Sequence, residues 1–156
     1  MKAFRQAVTG YHKIAGRKRD VLTLIDFSRP STEKRLFVFD MKQRRLLFSS
    51  VVSHGKNSGD KYATSFSNEY GSYKSSLGFY LTETTYQGRN GYSLILNGLE
   101  KGINDRARER AIVYMELLMP ILRLQAGEGV WGGVSVVRLF RKNSAALLST
   151  PLKGEA

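Results

Sequence analysis

Apolar residues recur at helical spacing at the start of the chain. Phe4, Ala7, Val8, Tyr11 and Ala15 fall on one face, which predicts a short amphipathic helix over residues 2–15. Gly16 and the basic run behind it end that helix. The pattern then changes to β-branched and aromatic runs at residues 21–27, 35–41 and 46–53. A turn-rich stretch, Ser28–Arg29–Pro30–Ser31, joins the first two runs, and the polar residues 42–45 join the second to the third. Three strands with connections this short favour antiparallel pairing over crossovers through helices.

Residues 55–76 are rich in Gly, Ser, Asn and Tyr and show no sustained period. A loop this long inside a folded domain is usually functional or mobile. Strand character returns at 77–84 and 92–96, with Gly88–Arg89–Asn90–Gly91 as a hairpin-type turn. Past Ile103 the pattern switches again. Asn104 or Asp105 is placed to cap a helix running through Arg110 towards Leu124, interrupted by Pro120. Residues 127–133 break that pattern, 134–140 form a last strand-like run, and the closing residues read as disordered. There is no internal repeat.

The 156 residues predict one domain, and 42% hydrophobic residues suffice for an ordinary core. No apolar run reaches bilayer-spanning length. Residues 1–20 are basic but show no signal-peptide core or cleavage site, so no export address is visible. The formal charge of +12 implies attraction to polyanions such as nucleic acids, anionic lipid surfaces or wall polymers. An ordinary solvated basic surface is the other possibility. The charge is spread along the chain, which argues against one dedicated groove. The chain contains no cysteine, which excludes disulfides, thiolate metal sites and thiol nucleophiles. With His12 and His54 as the two histidines, a zinc site would need carboxylates at a spacing that is not found. Neither metal nor cofactor is predicted.

His54–Gly55 closes a strand and opens the long loop, where a general base could sit, although a histidine there more often serves as a structural hydrogen-bonding residue. The spacing S-x-x-K occurs at Ser53 and Lys56, Ser31 and Lys34, and Ser58 and Lys61. None carries the helix and second motif that a serine–lysine mechanism needs, so all three read as chance. No Gly-rich phosphate loop leads from a strand into a helix. Interleaved Tyr and Lys at residues 61–74 could stack on single-stranded nucleic acid, but the motif of an RNA-binding sheet is missing, so nucleic acid is an unlikely partner.

Three segments carry a stronger signal: VLTLIDFSRPSTEKRLFVFDM (residues 21–41), VVSHGKNSGDKYATSFSN (51–68) and SSLGFYLTETTYQGRNGYSLILNGLEKGINDRARERAIV (75–113). Residues 20–113 resemble the murein L,D-transpeptidase catalytic-domain family, a YkuD-like group. The resemblance implies a mostly β domain that acts on peptidoglycan stem peptides in the cell envelope. In that family a cysteine attacks the carbonyl of a donor peptide, and the acyl group passes to an acceptor amine. The family pattern continues with a His-Gly pair on a strand and then Ser-x-Gly-Cys-Pro, which carries the nucleophile. His54–Gly55 corresponds to an earlier pair, so the resemblance assigns no catalytic residue here. His54, Gly55, Asn57, Ser58 and Ser65 remain as candidate substrate-groove residues.

After Ala111–Ile112–Val113, the expected His-Gly is replaced by Tyr114–Met115–Glu116, and no cysteine follows. The chemistry needs a thiolate activated by an adjacent base, and both partners are missing. Back-translation suggests why. Read from the last base of the preceding codon, Tyr114–Met115–Glu116 permits GTA CAT GGA, which is Val-His-Gly. In the same frame, residues 130–139 permit CTG GGG CGG AGT TTC GGT TGT CCG GCT, which is Leu-Gly-Arg-Ser-Phe-Gly-Cys-Pro-Ala. Loss of one G from GTG GTA would give the visible Val113–Tyr114. A diverged C-terminus is the alternative.

The expected organisation is therefore an N-terminal helix and basic linker (1–19), a partial L,D-transpeptidase-like β domain (20–113) and an out-of-frame, helical or irregular tail (114–156). Such a domain would lack the strands that bear the nucleophile, leaving sheet edges unpaired and apolar surface uncovered. The other function class is a non-catalytic basic module that binds a polyanion, either nucleic acid or a cell-wall polymer.

Overall fold

Residues Leu22, Thr23, Leu24 and Ile25 are all buried, so this strand is covered on both faces and lies inside a sheet. It is β1 (Val21–Asp26) of a computed structural model that describes residues 2–16, 20–88, 91–110, 113–114 and 136–140. The remaining elements are α1 (Lys2–Lys13), β2 (Leu36–Asp40), β3 (Arg45–Ser50), β4 (Gly78–Gly88), β5 (Gly91–Gly98), β6 (Val113–Tyr114) and β7 (Val136–Phe140). They form one mixed sheet in the order β3-β2-β1-β7-β4-β5-β6.

The mostly β architecture with one short N-terminal helix is as the sequence predicts. β1, β2 and β3 pair antiparallel through short turns, with Val21 opposite Asp40 and Asp40 opposite Arg45. Asp40 Oδ1 accepts the Lys42 and Gln43 amides at 3.0 and 2.9 Å, and Arg44 takes a left-handed φ of 56° to close the turn. β4 and β5 form the expected hairpin, closed by the pair Gly88 and Gly91, while Arg89 and Asn90 lie outside the described residues.

Alternation along the strands sorts the core into two faces. On one face, Ala3, Ala7, Tyr11 and Ile14 of the N-terminal segment pack on Leu22, Leu24, Phe79 and Leu99. Gly10 permits this approach: a Cβ there would lie 2.0 Å from Phe79 Cζ. On the other face, Ile25, Phe27, Leu36, Val38, Tyr80 and Leu96 are covered by Ala63, Leu77 and Ala107, with Phe66 alongside. The long loop is thus the lid of the second core layer. Each leucine, isoleucine, valine or phenylalanine side chain buried in these layers contributes about 1.5–3 kcal/mol.

Two expectations need correction. Residues 101–110 form successive turns, and Val113–Tyr114 is a strand, so the helix expected to run from Asn104 or Asp105 towards Leu124 is not formed there. Asn104 is the reason. Its side chain accepts the Glu100 amide and donates to the Leu77 and Phe79 carbonyls at 3.1 and 2.9 Å, tying the turn to β4 where a helix cap was expected. Second, the tail contributes β7 to the sheet interior, parallel to β1 and antiparallel to β4, so no unpaired edge is left between those two strands. The predicted break at 127–133, the stretches 111–112 and 115–124 of the expected helix, and the closing residues lie outside the described residues.

Candidate functional site

The end of the sheet where Ile25, Leu36 and Ser50 stand side by side delivers the chain into the long loop. Arg35, immediately before β2, is fully buried there. Its Nε and Nη2 donate to the Val52 carbonyl at 2.9 and 2.5 Å, and Nη1 donates to the Arg29 carbonyl at 3.2 Å. The guanidinium lies 4.9 Å from the Phe27 ring centroid. Burial lowers its pKa, opposed by the negative charge of Asp26. Carbonyl oxygens and an aromatic face replace the water that this cation has lost.

Arg35 fixes His54. Its Nη2 lies 2.9 Å from His54 Nδ1, and His54 Nε2 lies 2.9 Å from the Gly59 carbonyl. A guanidinium can only donate and a carbonyl can only accept. The imidazole must therefore accept on Nδ1 and donate from Nε2, with both nitrogens engaged. Its ring also meets Phe27 edge-on at 6.2 Å. This arrangement serves positioning: it pins the start of the loop to the segment that joins β1 to β2.

The neighbouring candidate residues are bound up in the same loop. Gly55 donates its amide to Ser75 Oγ at 2.8 Å, and a Cβ on it would press within 2.7 Å of the Tyr73 and Ser75 backbone. Asn57 bonds to the Tyr73 and Ser72 carbonyls at 2.9 and 3.1 Å. Ser58 is fully buried; its hydroxyl accepts the Ser75 amide at 2.8 Å, and its carbonyl accepts the Thr64 and Ser65 amides. The structure thus brings His54, Gly55, Asn57, Ser58 and Ser65 together; His54 bonds to Arg35 and the loop, and the bonds given for Gly55, Asn57, Ser58 and the Ser65 amide stay within the loop.

A second arginine braces the far side. Arg110 donates to the Ser67 and Lys74 carbonyls at 2.6 and 2.5 Å, and to the Ser76 and Ser72 hydroxyls at 2.6 and 2.9 Å. Asn68 links the same loop to Asp105 at 2.8 Å. Beneath it, Tyr80 is wholly buried and donates to the Ser76 carbonyl at 2.6 Å; burial raises its pKa well above the ordinary tyrosine value. Glu100 Oε2 accepts the Phe79 amide at 2.9 Å. Arg35, Glu100 and Arg110 were not among the residues singled out from sequence, and Asn104 was marked there only as a helix cap. An arginine opening an apolar strand and an asparagine ahead of buried Ala107 are the signals that could have marked two of them.

The family model described as the L,D-transpeptidase catalytic domain matches residues 1–117. The chain belongs to the L,D-transpeptidase catalytic-domain family. No curated protein and no solved structure matches it. In this L,D-transpeptidase domain, the strand pairing places Val113 and Tyr114 opposite Ile95 and Leu94. The family's His-Gly pair, expected directly after Val113, would begin in β6, where Tyr114 now stands. Membership implies a peptidoglycan substrate, and domains of this family generally work in the cell envelope. Among the described residues, no group of three His, Cys, Asp or Glu could hold a metal, and no helix is long and apolar enough to cross a membrane.

Proposed function

We propose that this chain is the front part of a peptidoglycan L,D-transpeptidase that acts on stem peptides by cysteine acyl transfer, made inactive as written by a change of reading frame after Val113. The observation that carries this proposal is the family correspondence, which ends at residue 117, four residues past Val113, in a chain of 156 residues with no cysteine. Residues 20–113 form the partial catalytic domain, residues 1–19 precede it, and residues 114–156 are read out of frame. The intact product would work in the cell envelope. His54, Gly55, Asn57, Ser58 and Ser65 border the proposed substrate groove through a loop that Arg35 and Arg110 hold in shape. The amides of Gly55, Asn57, Ser58, Thr64, Ser65 and Ser75 are bonded within the loop, and the loop supplies no nucleophile.

The test is to insert one base after the Val113 codon and to assay both proteins with a muropeptide donor. Cross-linked product is read by chromatography and the acyl-enzyme by intact mass. The chain as written should give neither, and the restored chain should give both. Turnover by the chain as written would refute its inactivity, and a restored frame without a cysteine codon would refute the frame change. Groove binding is tested separately by titrating muropeptide into the chain as written; unchanged NMR shifts at His54 and Ser65 would end that assignment.

A second reading, a non-catalytic basic module for a nucleic acid or a wall polymer, is favoured by the net charge of +12. It predicts affinity that falls steeply with salt, whereas the transpeptidase reading predicts no more than weak non-specific binding.

A further inference from the structure

The strand register gathers separate basic segments at one corner of the sheet. Val21, Asp40 and Arg45 stand side by side, so the β2–β3 turn with Lys42, Arg44 and Arg45 lies at the start of β1. The Met41 amide bonds to the Asp20 carbonyl at 2.8 Å, which fastens the turn there. Phe4 packs on Phe39 with ring centroids 4.9 Å apart, which brings the first turn of α1, with Lys2 and Arg5, to the same corner. All five cations are exposed, and among the described residues none is in an ion pair. The two carboxylates at this corner are already engaged: Asp20 accepts the Tyr11 hydroxyl, and Asp40 accepts two turn amides. Leu46, next to Arg45 on the edge strand, is 51% exposed.

We propose that this corner, formed by Lys2, Arg5, Lys42, Arg44, Arg45 and Leu46, is a docking surface for an anionic lipid bilayer. Charge complementarity supplies the attraction, and Leu46 gives the basic cluster an apolar tip that can enter the boundary between headgroups and acyl chains. Among the described residues, the exposed aromatics that could stack on nucleic-acid bases, Tyr62, Tyr70 and Tyr73, all lie on the long loop. That loop leaves the other end of β3, about 20 Å away for a six-residue strand. Docking by the basic corner therefore turns the His54 loop away from the bilayer. The proposal does not depend on catalysis and goes beyond the family assignment.

The test is sedimentation of the full chain with vesicles of phosphatidylglycerol and phosphatidylcholine, compared with vesicles of phosphatidylcholine alone. The chain should sediment with the anionic vesicles and not with the neutral ones. Lys42→Glu with Arg45→Glu should weaken the anionic binding more than tenfold, as expected for charges at the membrane surface. Lys56→Glu with Lys61→Glu, the same charge change on the loop, should weaken it less than about threefold. Leu46→Ser, which leaves the charge unchanged, should weaken it several-fold, and unaltered melting temperatures confirm that the variants fold. Three results would overturn the proposal: no binding to anionic vesicles, equal losses for the two charge-reversed pairs, or tighter corner-dependent binding to a single-stranded oligonucleotide.

Discussion

Removing the Arg110 guanidinium should loosen the long loop as a unit. In Arg110→Ala, four contacts of 2.5–2.9 Å to Ser67, Ser72, Lys74 and Ser76 are lost together. Hydrogen bonds from a charged donor are each worth about 1.5–3 kcal/mol. Arg110 is partly exposed, so water can take over some of its acceptors. The expected net loss is about 3 kcal/mol, equivalent to a fall of about 6–12 °C in melting temperature for a chain of this size. Arg110→Lys should lose about 2 kcal/mol, because one ammonium cannot span four acceptors that a planar fork reaches. Circular dichroism gives the melting temperatures. Hydrogen exchange locates the effect: the Ser67 and Ser75 amides, which bond to the Ser75 carbonyl and Ser58 Oγ, should exchange about 100-fold faster in the alanine variant. A melting temperature within about 1 °C of the parent, with unchanged exchange at these amides, would refute the bracing role.

Gly10→Ala would ordinarily favour a helix by about 1 kcal/mol, but here its Cβ meets the Phe79 ring at 2.0 Å, so a net loss of about 1–3 kcal/mol in urea unfolding is expected, largely restored by adding Phe79→Leu. Gly98→Ala sets its Cβ 1.8 Å from the Asn104 carbonyl oxygen, a backbone atom that cannot swing aside; a loss above about 3 kcal/mol is expected, and a loss under 1 kcal/mol would contradict the packing. Tyr80 keeps its proton in the folded state above about pH 10, where the unfolded chain loses it. Stability should therefore fall by about 1.4 kcal/mol per pH unit above pH 10 through this group. Tyr80→Phe should flatten that decline while costing about 1 kcal/mol at neutral pH through the lost bond to Ser76, and an unchanged alkaline slope in paired urea titrations would count against it.

The first three strands were legible because alternation and short turns are local signals, and they specify antiparallel neighbours. The position of β7 was not legible. A run of β-branched residues announces a strand, but nothing in residues 136–140 says that it pairs parallel to β1, more than a hundred residues earlier. Asn104 misled because an asparagine ahead of a periodic stretch caps a helix or bonds elsewhere, and the carbonyls of Leu77 and Phe79 decide which. Arg35 and Arg110 read as surface charge in the sequence; what makes them structural is the set of carbonyls that converges on each. The Gly- and Ser-rich composition of residues 55–76 suggested mobility, yet the hydroxyls of Ser58, Ser72, Ser75 and Ser76 bond within the loop or to Arg110. Five basic residues from two separate segments, Lys2, Arg5, Lys42, Arg44 and Arg45, meet at one corner through strand register and the Phe4–Phe39 contact. Of the site, the sequence located the loop and its family, but not its internal bracing.

The reading frame after Val113 is the central claim, and sequencing the gene across the codons for residues 111–139 tests it most directly. The account predicts that the frame beginning on the last base of the Val113 codon spells Val-His-Gly, and then Ser-Phe-Gly-Cys-Pro within the codons for residues 130–139. Codons that confirm Tyr114–Met115–Glu116 and spell neither motif in that frame would contradict it and make residues 114–156 a genuine end to the domain.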